Sequence, residues 1–475
     1  MKLVLVTVPL MDWIEGELHP IAMDRVRTSP PLGMYWLAAV AREAGHEVEI
    51  VDLIAAGKLD LARVVDAAGR GDACGVSANS LNWPSARMVI NHVKERYPDM
   101  PVIAGGIHPT AYPDHVAATS AADFLVMGEG EQPLLLLLDA LAGKGRIEAV
   151  PGLCWRGPDG LLRNPMVSTL SIGQLEALPD PAYDLLPPGV YESLSVESAR
   201  GCRFNCTFCS TKFRGSWRGI GAACFVDRVE RLRPYLDRCL YPIFSFVDDL
   251  YTLDVGRTVA ITNLFRERGL DVQATLDARA TDVVRPGLVE ALAPITNQML
   301  IGAECGYNEG LRRIRKGCTV EILERAARAV ADAGIAERTV FSFVIGFPFE
   351  TRDDCQRTIE FAAQLLLKHG VKIYLQWFNT IPGSALWNEL ADKGLVDIKA
   401  YDDFGFFVNS ELFRAGVPLS MEDIQELSNI VTSLNSVFFL ARPNKELLQF
   451  SAPEWLWAEP TCNFPSKGAL VEPAG

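Results

Sequence analysis

Two successive series of apolar runs, each run followed by a helix-like stretch, restrict this chain to an α/β fold more tightly than any other feature. The first run, LVLVTVPL from Leu3 to Leu10, does not alternate polar with apolar residues, so it suits a strand covered on both faces. PPLGMYWLAAVAREAGHEVEIVDLI then supplies a proline start, a helix from about Gly33, a stop near Gly45 and a second strand from Glu47. ACGVSANS, a helix from about Pro84 to Arg96, PVIAGGI, ADFLVMGEG and a leucine-rich helix continue the alternation. Five strand–helix units in this order predict a doubly wound, five-stranded parallel sheet over residues 1–145. Such sheets bind ligands at the carboxyl ends of their strands. Those ends carry Ser77 and Asn79, Gly105 and Gly106, and Gly128, Glu129 and Gly130.

Residues 146–190 are rich in Pro, Gly and Asp (PGLCWRGPDG, LPDPAYDLLPPG) and read as a linker with room for one small hairpin. The second series runs over residues 191–395. Its strands are YESLSVESARG, YPIFSFVDD, DVQATLDAR, NQMLIGAE, TVFSFVIGF and VKIYLQWFNT. Helical stretches lie between them, among them VEILERAARAVADAG with Gly334 as its C-cap. Six units are too few for a closed eight-stranded barrel, so an open, partial barrel is expected, with chemistry at the strand carboxyl ends. Over residues 396–475 the periodicity weakens, which predicts a small α-rich appendage. Trp455 and Trp457 are expected to pack it onto the barrel rather than to line a substrate pocket. There is no internal repeat beyond the two series and no low-complexity run.

The formal net charge of −14 argues against broad affinity for nucleic acid or for anionic membranes, both of which need clustered Lys and Arg. The N-terminal apolar run soon meets Asp12 and Glu15, unlike a signal peptide. No window approaches about 18 uninterrupted apolar residues, so no membrane span is expected. The 11 cysteines are odd in number and mostly scattered. That is a poor disulfide framework and predicts a cytoplasmic protein in a reducing compartment, without obligatory disulfides.

Three cysteines do cluster. ARGCRFNCTFCST, at the end of the first strand of the second series, spaces Cys202, Cys206 and Cys209 as Cys-x3-Cys-x2-Cys. A [4Fe–4S] cube normally takes four thiolates, so three leave one iron open to chelate a small molecule. The alternative is structural zinc, which wants four protein ligands, and no fourth Cys or His lies close in sequence.

This spacing, with Phe208 just before the last cysteine, resembles the signature of the radical S-adenosylmethionine (SAM) superfamily. VDDLYT, DARATDVV, IGAECGYNEGLRRIRKG, FSFVIGFPFET and FNTIPGSALW resemble further motifs of that family in order, with Cys305 where the family has Ser and Phe349 where it has Gly. The resemblance covers about Tyr191 to Leu395. It implies a cluster on the three cysteines and SAM contacts at Asp248, Asp249, Arg279, Glu304, Gly346 and Pro348. No catalytic residue is assigned beyond the cluster ligands. Plain structural roles stand beside these: Asp248 and Asp249 capping a helix, Glu304 pairing with a core Arg, Arg279 in a salt bridge.

The N-terminal sheet, from its residues alone, suits a flavin, a nucleotide, cobalamin or no ligand. The absence of Gly-x-Gly-x-x-Gly after the first strand disfavours a dinucleotide. RTSPPLGMYWLAAVAREAGHEVEIVD, AGGIHPTAYPDHV and VMGEGEQPLLLLL resemble the cobalamin-binding domain that precedes many radical SAM domains. Gly105 and Gly106 would let backbone approach a ligand closely. PLMDWIEGELHP departs from the Asp-x-His-x-x-Gly of domains that donate an axial imidazole. The resemblance therefore implies cobalamin with a displaced tail and no histidine on cobalt, His108 included. Together the motifs imply a cobalamin-dependent radical SAM methyltransferase acting on an unactivated carbon of a small-molecule or biosynthetic-intermediate substrate. Its electron donor would be a protein such as flavodoxin or ferredoxin. Cyclisation or rearrangement without net methylation, and a non-catalytic cobalamin- or redox-sensing protein, are the alternatives.

Overall fold

A computed structural model describes residues 1–14, 17–20, 29–157, 160–165, 169–211, 216–404 and 415–440. The continuous apolar run forms β1 (Lys2–Thr7), and a small hairpin, β2 (Met11–Ile14) with β3 (Glu17–Pro20), follows it. β4 (Glu47–Asp52), β5 (Ala73–Ser77), β6 (Val102–Gly105) and β7 (Phe124–Val126) complete the five expected parallel strands, in the order β4-β1-β5-β6-β7. β1 lies between β4 and β5, and Leu3, Val4, Leu5 and Val6 are buried, which is why the run does not alternate. The helices Leu32–Glu43 and Trp83–Arg96 lie where the sequence puts them.

The sheet does not end with the fifth strand. β8 (Leu153–Gly157) and β9 (Gly160–Arg163) add antiparallel to β7, making seven strands. The first sheet therefore runs past residue 145 into the segment read as a linker. Its hairpin covers the backbone edge that β7 would otherwise leave unpaired.

In the second half, β10 (Leu194–Val196) leads into the short antiparallel pair β11 (Ala199–Arg200) and β12 (Arg218–Gly219). β13 (Phe244–Phe246), β14 (Ala274–Ala278), β15 (Thr296–Glu304), β16 (Thr339–Ile345) and β17 (Lys372–Trp377) pair in sequence order with β10 as an open, all-parallel six-stranded sheet. Alternate residues point outward into one large core. Phe246 on β13 packs edge-on against Phe225, whose ring also meets Phe265 of the next helix.

The two halves are joined by buried polar contacts. Asp52, at the end of β4, accepts hydrogen bonds from Thr7 Oγ1 (2.7 Å), from Tyr35 and, across the boundary, from Tyr191 (2.8 Å). Ser195 on β10 donates to the carbonyl of Pro30 at 2.7 Å, and the guanidinium of Arg228 lies 4.9 Å above the Trp36 ring. The described part of the C-terminal appendage is helical, as expected. Its helix Met421–Leu440 lies along β17, where the Asn435 amide accepts from Leu375 N (2.9 Å) and donates to Leu375 O (2.7 Å). Trp455 and Trp457 lie outside the described residues. No helix among the described residues is long and apolar enough to cross a membrane.

Candidate active site

The three clustered cysteines follow β11, on the carboxyl-end face of the half-barrel. Their side chains are half-buried and form no disulfide, and Cys209 Sγ lies 3.2 Å from Thr211 Oγ1. The loop is held by its backbone rather than by the thiols. Gly201 N donates to Asp249 (2.8 Å), Thr207 N to the carbonyl of Ile314 (3.0 Å), and Thr207 O accepts from Leu386 N (2.8 Å). The Arg279 guanidinium lies 3.7 Å over the Phe204 ring, and Phe208 packs edge-on against Phe347. Among the described residues no three His, Cys, Asp or Glu side chains converge as a single metal ion needs. Zinc draws its thiolates to about 2.3 Å from one point, whereas a cluster spreads them over several irons. Three thiols suit a cluster with one open iron, whereas structural zinc takes four protein ligands.

The structure divides the residues the sequence singles out for SAM. Asp248 is buried, and its carboxyl accepts from Ser198 N (2.7 Å), Ser198 Oγ (3.1 Å) and Ala199 N. Burial pushes that carboxyl up to about 7. Asp248 thus braces the approach to the cysteine loop, just as Asp249 braces Gly201; neither caps a helix in this way. Removing Asp248 strands two buried backbone donors at a cost of about 1–3 kcal/mol each. Asp248→Ala is expected to lower the unfolding midpoint by several degrees and to retain less iron than the parent chain, read by calorimetry and iron analysis.

Glu304 ends β15 in the left-handed region (φ 67°) and pairs with Lys316 at 2.7 Å, a lysine and not the arginine of the structural alternative. A side chain at Gly302 would collide with both partners, so that glycine keeps the pair in place. Arg279 donates to the carbonyl of Lys316 instead of joining a salt bridge. Gly346 (φ 79°) faces the Trp377 ring so closely that a Cβ would lie 2.6 Å from it. Pro348 follows in the same loop. Phe349 stacks on Phe347 (centroids 5.4 Å apart) under the Arg313 guanidinium, and Cys305 is fully buried.

Between the two halves lies a cavity of about 580 Å³. Ser77, Asn79, Gly105, Gly106, Gly128, Glu129 and Gly130 all line it. On the far wall stand Glu197, Arg200 and Val247, residues that lead into the cysteine loop and the Asp248–Asp249 pair. Gly105 would bring a Cβ no closer than 3.8 Å to any atom, so its bare backbone leaves open space on the cavity wall. Gly106 is different: its φ of 98° and a Cβ position 2.5 Å from the Ala78 carbonyl make glycine obligatory there.

Two lining residues have other duties as well. The Asn79 side chain caps its own turn by accepting from Leu81 N and Asn82 N. The Glu129 carboxylate takes Arg218 (2.7 Å) and Leu170 N (2.6 Å). Beside it Arg200 pairs with Glu131 (2.7 Å) and Glu197 (2.5 Å). Among the described residues no histidine lines the cavity. His108 is buried against Trp83, with Ser80 at 3.0 Å and His115 at 3.3 Å, and burial pushes its imidazole down to about 3. His115 continues the chain to Asp402 at 3.1 Å. The Arg200 and Arg218 network, the histidine pair and Lys316 are absent from the sequence reading.

A family model described as the B12 binding domain matches residues 18–138, and the radical SAM superfamily model matches residues 196–362. An uncharacterized methyltransferase of Pyrococcus horikoshii is 30% identical over 372 residues, which are 76% of this chain and 78% of the relative. The chain belongs to the radical SAM superfamily, in its B12-binding branch. As a radical SAM enzyme it is also 26% identical to an anaerobic magnesium-protoporphyrin IX monomethyl ester cyclase of Rubrivivax gelatinosus, over 92% of this chain and 78% of that one. The structure of the cobalamin-dependent S-adenosylmethionine radical enzyme OxsB, with aqua-cobalamin and S-adenosylmethionine bound, shares the fold with a TM-score of 0.71 at 17% identity, covering 92% of this chain and 67% of that one. The radical SAM match holds all three clustered cysteines, and the B12 match holds all seven predicted cavity residues.

Proposed function

We propose that this radical SAM enzyme transfers a methyl group to an unactivated carbon of a small-molecule substrate in a cobalamin-dependent reaction. One observation carries the reading: a single cavity is walled on one side by the strand ends of the B12-matching sheet and on the other by the residues that lead into the cysteine loop. When bound, SAM on an open-iron cluster supplies a deoxyadenosyl radical, and methylcobalamin supplies the methyl group. Cys202, Cys206 and Cys209 hold the cluster, while Asp249, Arg279, Glu304, Gly346 and Pro348 border the SAM site. Asp248 acts through the loop. Ser77, Gly105, Gly106, Gly128 and Gly130 offer cobalamin a wall of backbone and small side chains, and Asn79 and Glu129 shape that wall. These roles divide the chain into the B12-matching sheet, which takes in the hairpin up to Arg163, the half-barrel over residues 191–395 and the appendage from residue 396. The protein works in a reducing cytoplasm, and its electron comes from a donor such as flavodoxin or ferredoxin.

The cyclase relative favours a second reading, cyclisation without net methyl transfer. Product counting separates the two. Methyl transfer is expected to yield deoxyadenosine and S-adenosylhomocysteine together, whereas cyclisation yields mainly deoxyadenosine and a sensor yields neither. The Co(II) form is expected to show no nitrogen superhyperfine splitting in electron paramagnetic resonance, because the tail is displaced and, among the described residues, no histidine lines the cavity. Splitting in corrinoid-retaining protein shows an imidazole or benzimidazole on cobalt and refutes the reading of a displaced tail without a histidine donor.

A further inference from the structure

The inner face of the half-barrel carries chemistry that neither the cysteine loop nor the B12-matching sheet uses. On β14, Ala274, Leu276 and Ala278 are buried in the outer, helix-covered core, so Thr275 and Asp277 between them face the lumen. Strand register extends that face. Thr275 lies beside Ser245 and Gln298, Asp277 beside Leu300, and Gly302 beside Ser342. Leu300, Val340 and Tyr374 pack together as an apolar wall on the β15–β17 side. The lumen thus pairs a polar wall with an apolar one.

Asp277 stands out on the polar wall. It is exposed although both of its chain neighbours are buried, and yet the surrounding walls desolvate its carboxyl enough to push it up to about 6. Exposure and desolvation coexist only in a concavity, where solvent reaches the group but does not surround it. The cation acting on it is Lys316, which already pairs with Glu304 at 2.7 Å. Arg279 is the next inward residue, about 7 Å up the strand. It spends its guanidinium on the Lys316 carbonyl and the Phe204 ring. Two carboxylates therefore share one ammonium at the mouth of the lumen. A group entering this space balances the charge if it is cationic, is repelled if it is a carboxylate, and leaves Asp277 desolvated without compensation if it is purely apolar.

We infer that Asp277 is the specificity-determining anchor of the substrate site, and that the substrate presents it with an amine joined to an apolar body that lies against Leu300, Val340 and Tyr374. The inference rests on the radical SAM reading above, in which the substrate occupies the lumen beside the cysteine loop. Asp277 fixes one end of the substrate and so selects which carbon faces that loop.

The test uses the anaerobically reconstituted holoenzyme and three probes of one shape: benzylamine, benzyl alcohol and benzoate. Affinity is read from the dependence of the unfolding midpoint on probe concentration, which needs no turnover. Benzylamine is expected to bind at least tenfold more tightly than either of the others. Asp277→Asn is expected to weaken benzylamine at least tenfold, and Asp277→Glu to restore part of the loss. Equal affinity for benzylamine and benzyl alcohol in the parent enzyme overturns the inference, whatever the variants do. Undiminished benzylamine binding in Asp277→Asn overturns it as well. Iron, corrinoid and SAM cleavage in the parent enzyme report separately on the proposed function. Their absence defeats that reading, while a missing amine preference with all three present defeats only this one.

Discussion

Replacing Cys202, Cys206 and Cys209 together by alanine is expected to take iron from about four per chain, after anaerobic reconstitution, to none, and SAM cleavage to background. The expected effect is total because no other thiol among the described residues can substitute. Cys74, Cys154, Cys305, Cys318 and Cys355 are buried, Cys224 sits in the helix Ala222–Leu232, and Cys239 follows the short helix Arg233–Arg238. The substitution should leave the fold standing. The loop's shape comes from Gly201, Thr207 and Leu386 backbone groups and from the Phe204 and Phe208 rings, none of which is altered. Corrinoid retention supplies an internal control, since the glycines and Ser77 that wall the cavity lie on other strands. Stoichiometric zinc without iron in the parent protein overturns the cluster assignment.

Gly105→Leu is expected to abolish corrinoid retention through gel filtration while leaving iron content unchanged. The position ends β6, and a Cβ there meets nothing nearer than the Val126 carbonyl at 3.8 Å, so the added side chain enters the cavity without disturbing the strand. Filling that space removes the close approach a flat macrocycle needs. A hundredfold weakening, about 2.7 kcal/mol, is the minimum expected, read by titration with hydroxocobalamin. Gly106 makes the contrast. Even alanine there must relieve a 2.5 Å contact with Ala78 O and adopt a φ of 98°, so Gly106→Ala is a folding defect and says nothing about ligand. Normal corrinoid binding by a folded Gly105→Leu protein would remove the cavity from the functional account.

The parallel strands were legible because strands buried on both faces read as unbroken apolar runs, as Leu3 to Leu10 does. The PGLCWRGPDG turn was legible too, but its membership of the first sheet was not. Turn residues announce a hairpin, and only the spatial neighbour, β7, decides what it pairs with. The grouping of the three cysteines on one loop was readable from their spacing. Asp248 was readable as a motif position but not as a brace, because the direction of a side chain beyond a strand end depends on the loop it meets. The charged groups at the domain boundary were the least legible. Nothing in the sequence marks Arg200 and Arg218, because their partners Glu129 and Glu131 come from the other half of the chain. Lys316 was hidden in the same way within LRRIRKG, where one basic residue among several carries no mark of its partner.

The amide of Asn435 has a consequence outside the site. An open half-barrel, unlike a closed one, has strands at its edges with no neighbouring strand on one side, and β17 is one of them. By giving both the N–H and the C=O of Leu375 a partner, Asn435 acts as a single rung of a missing seventh strand. That rung removes the template on which a second molecule could add its own strand, a hazard every bare sheet edge presents. The C-terminal helix thus caps the β17 edge of the half-barrel at Leu375 and lets the sheet stay open without leaving that rung to a strand of another molecule.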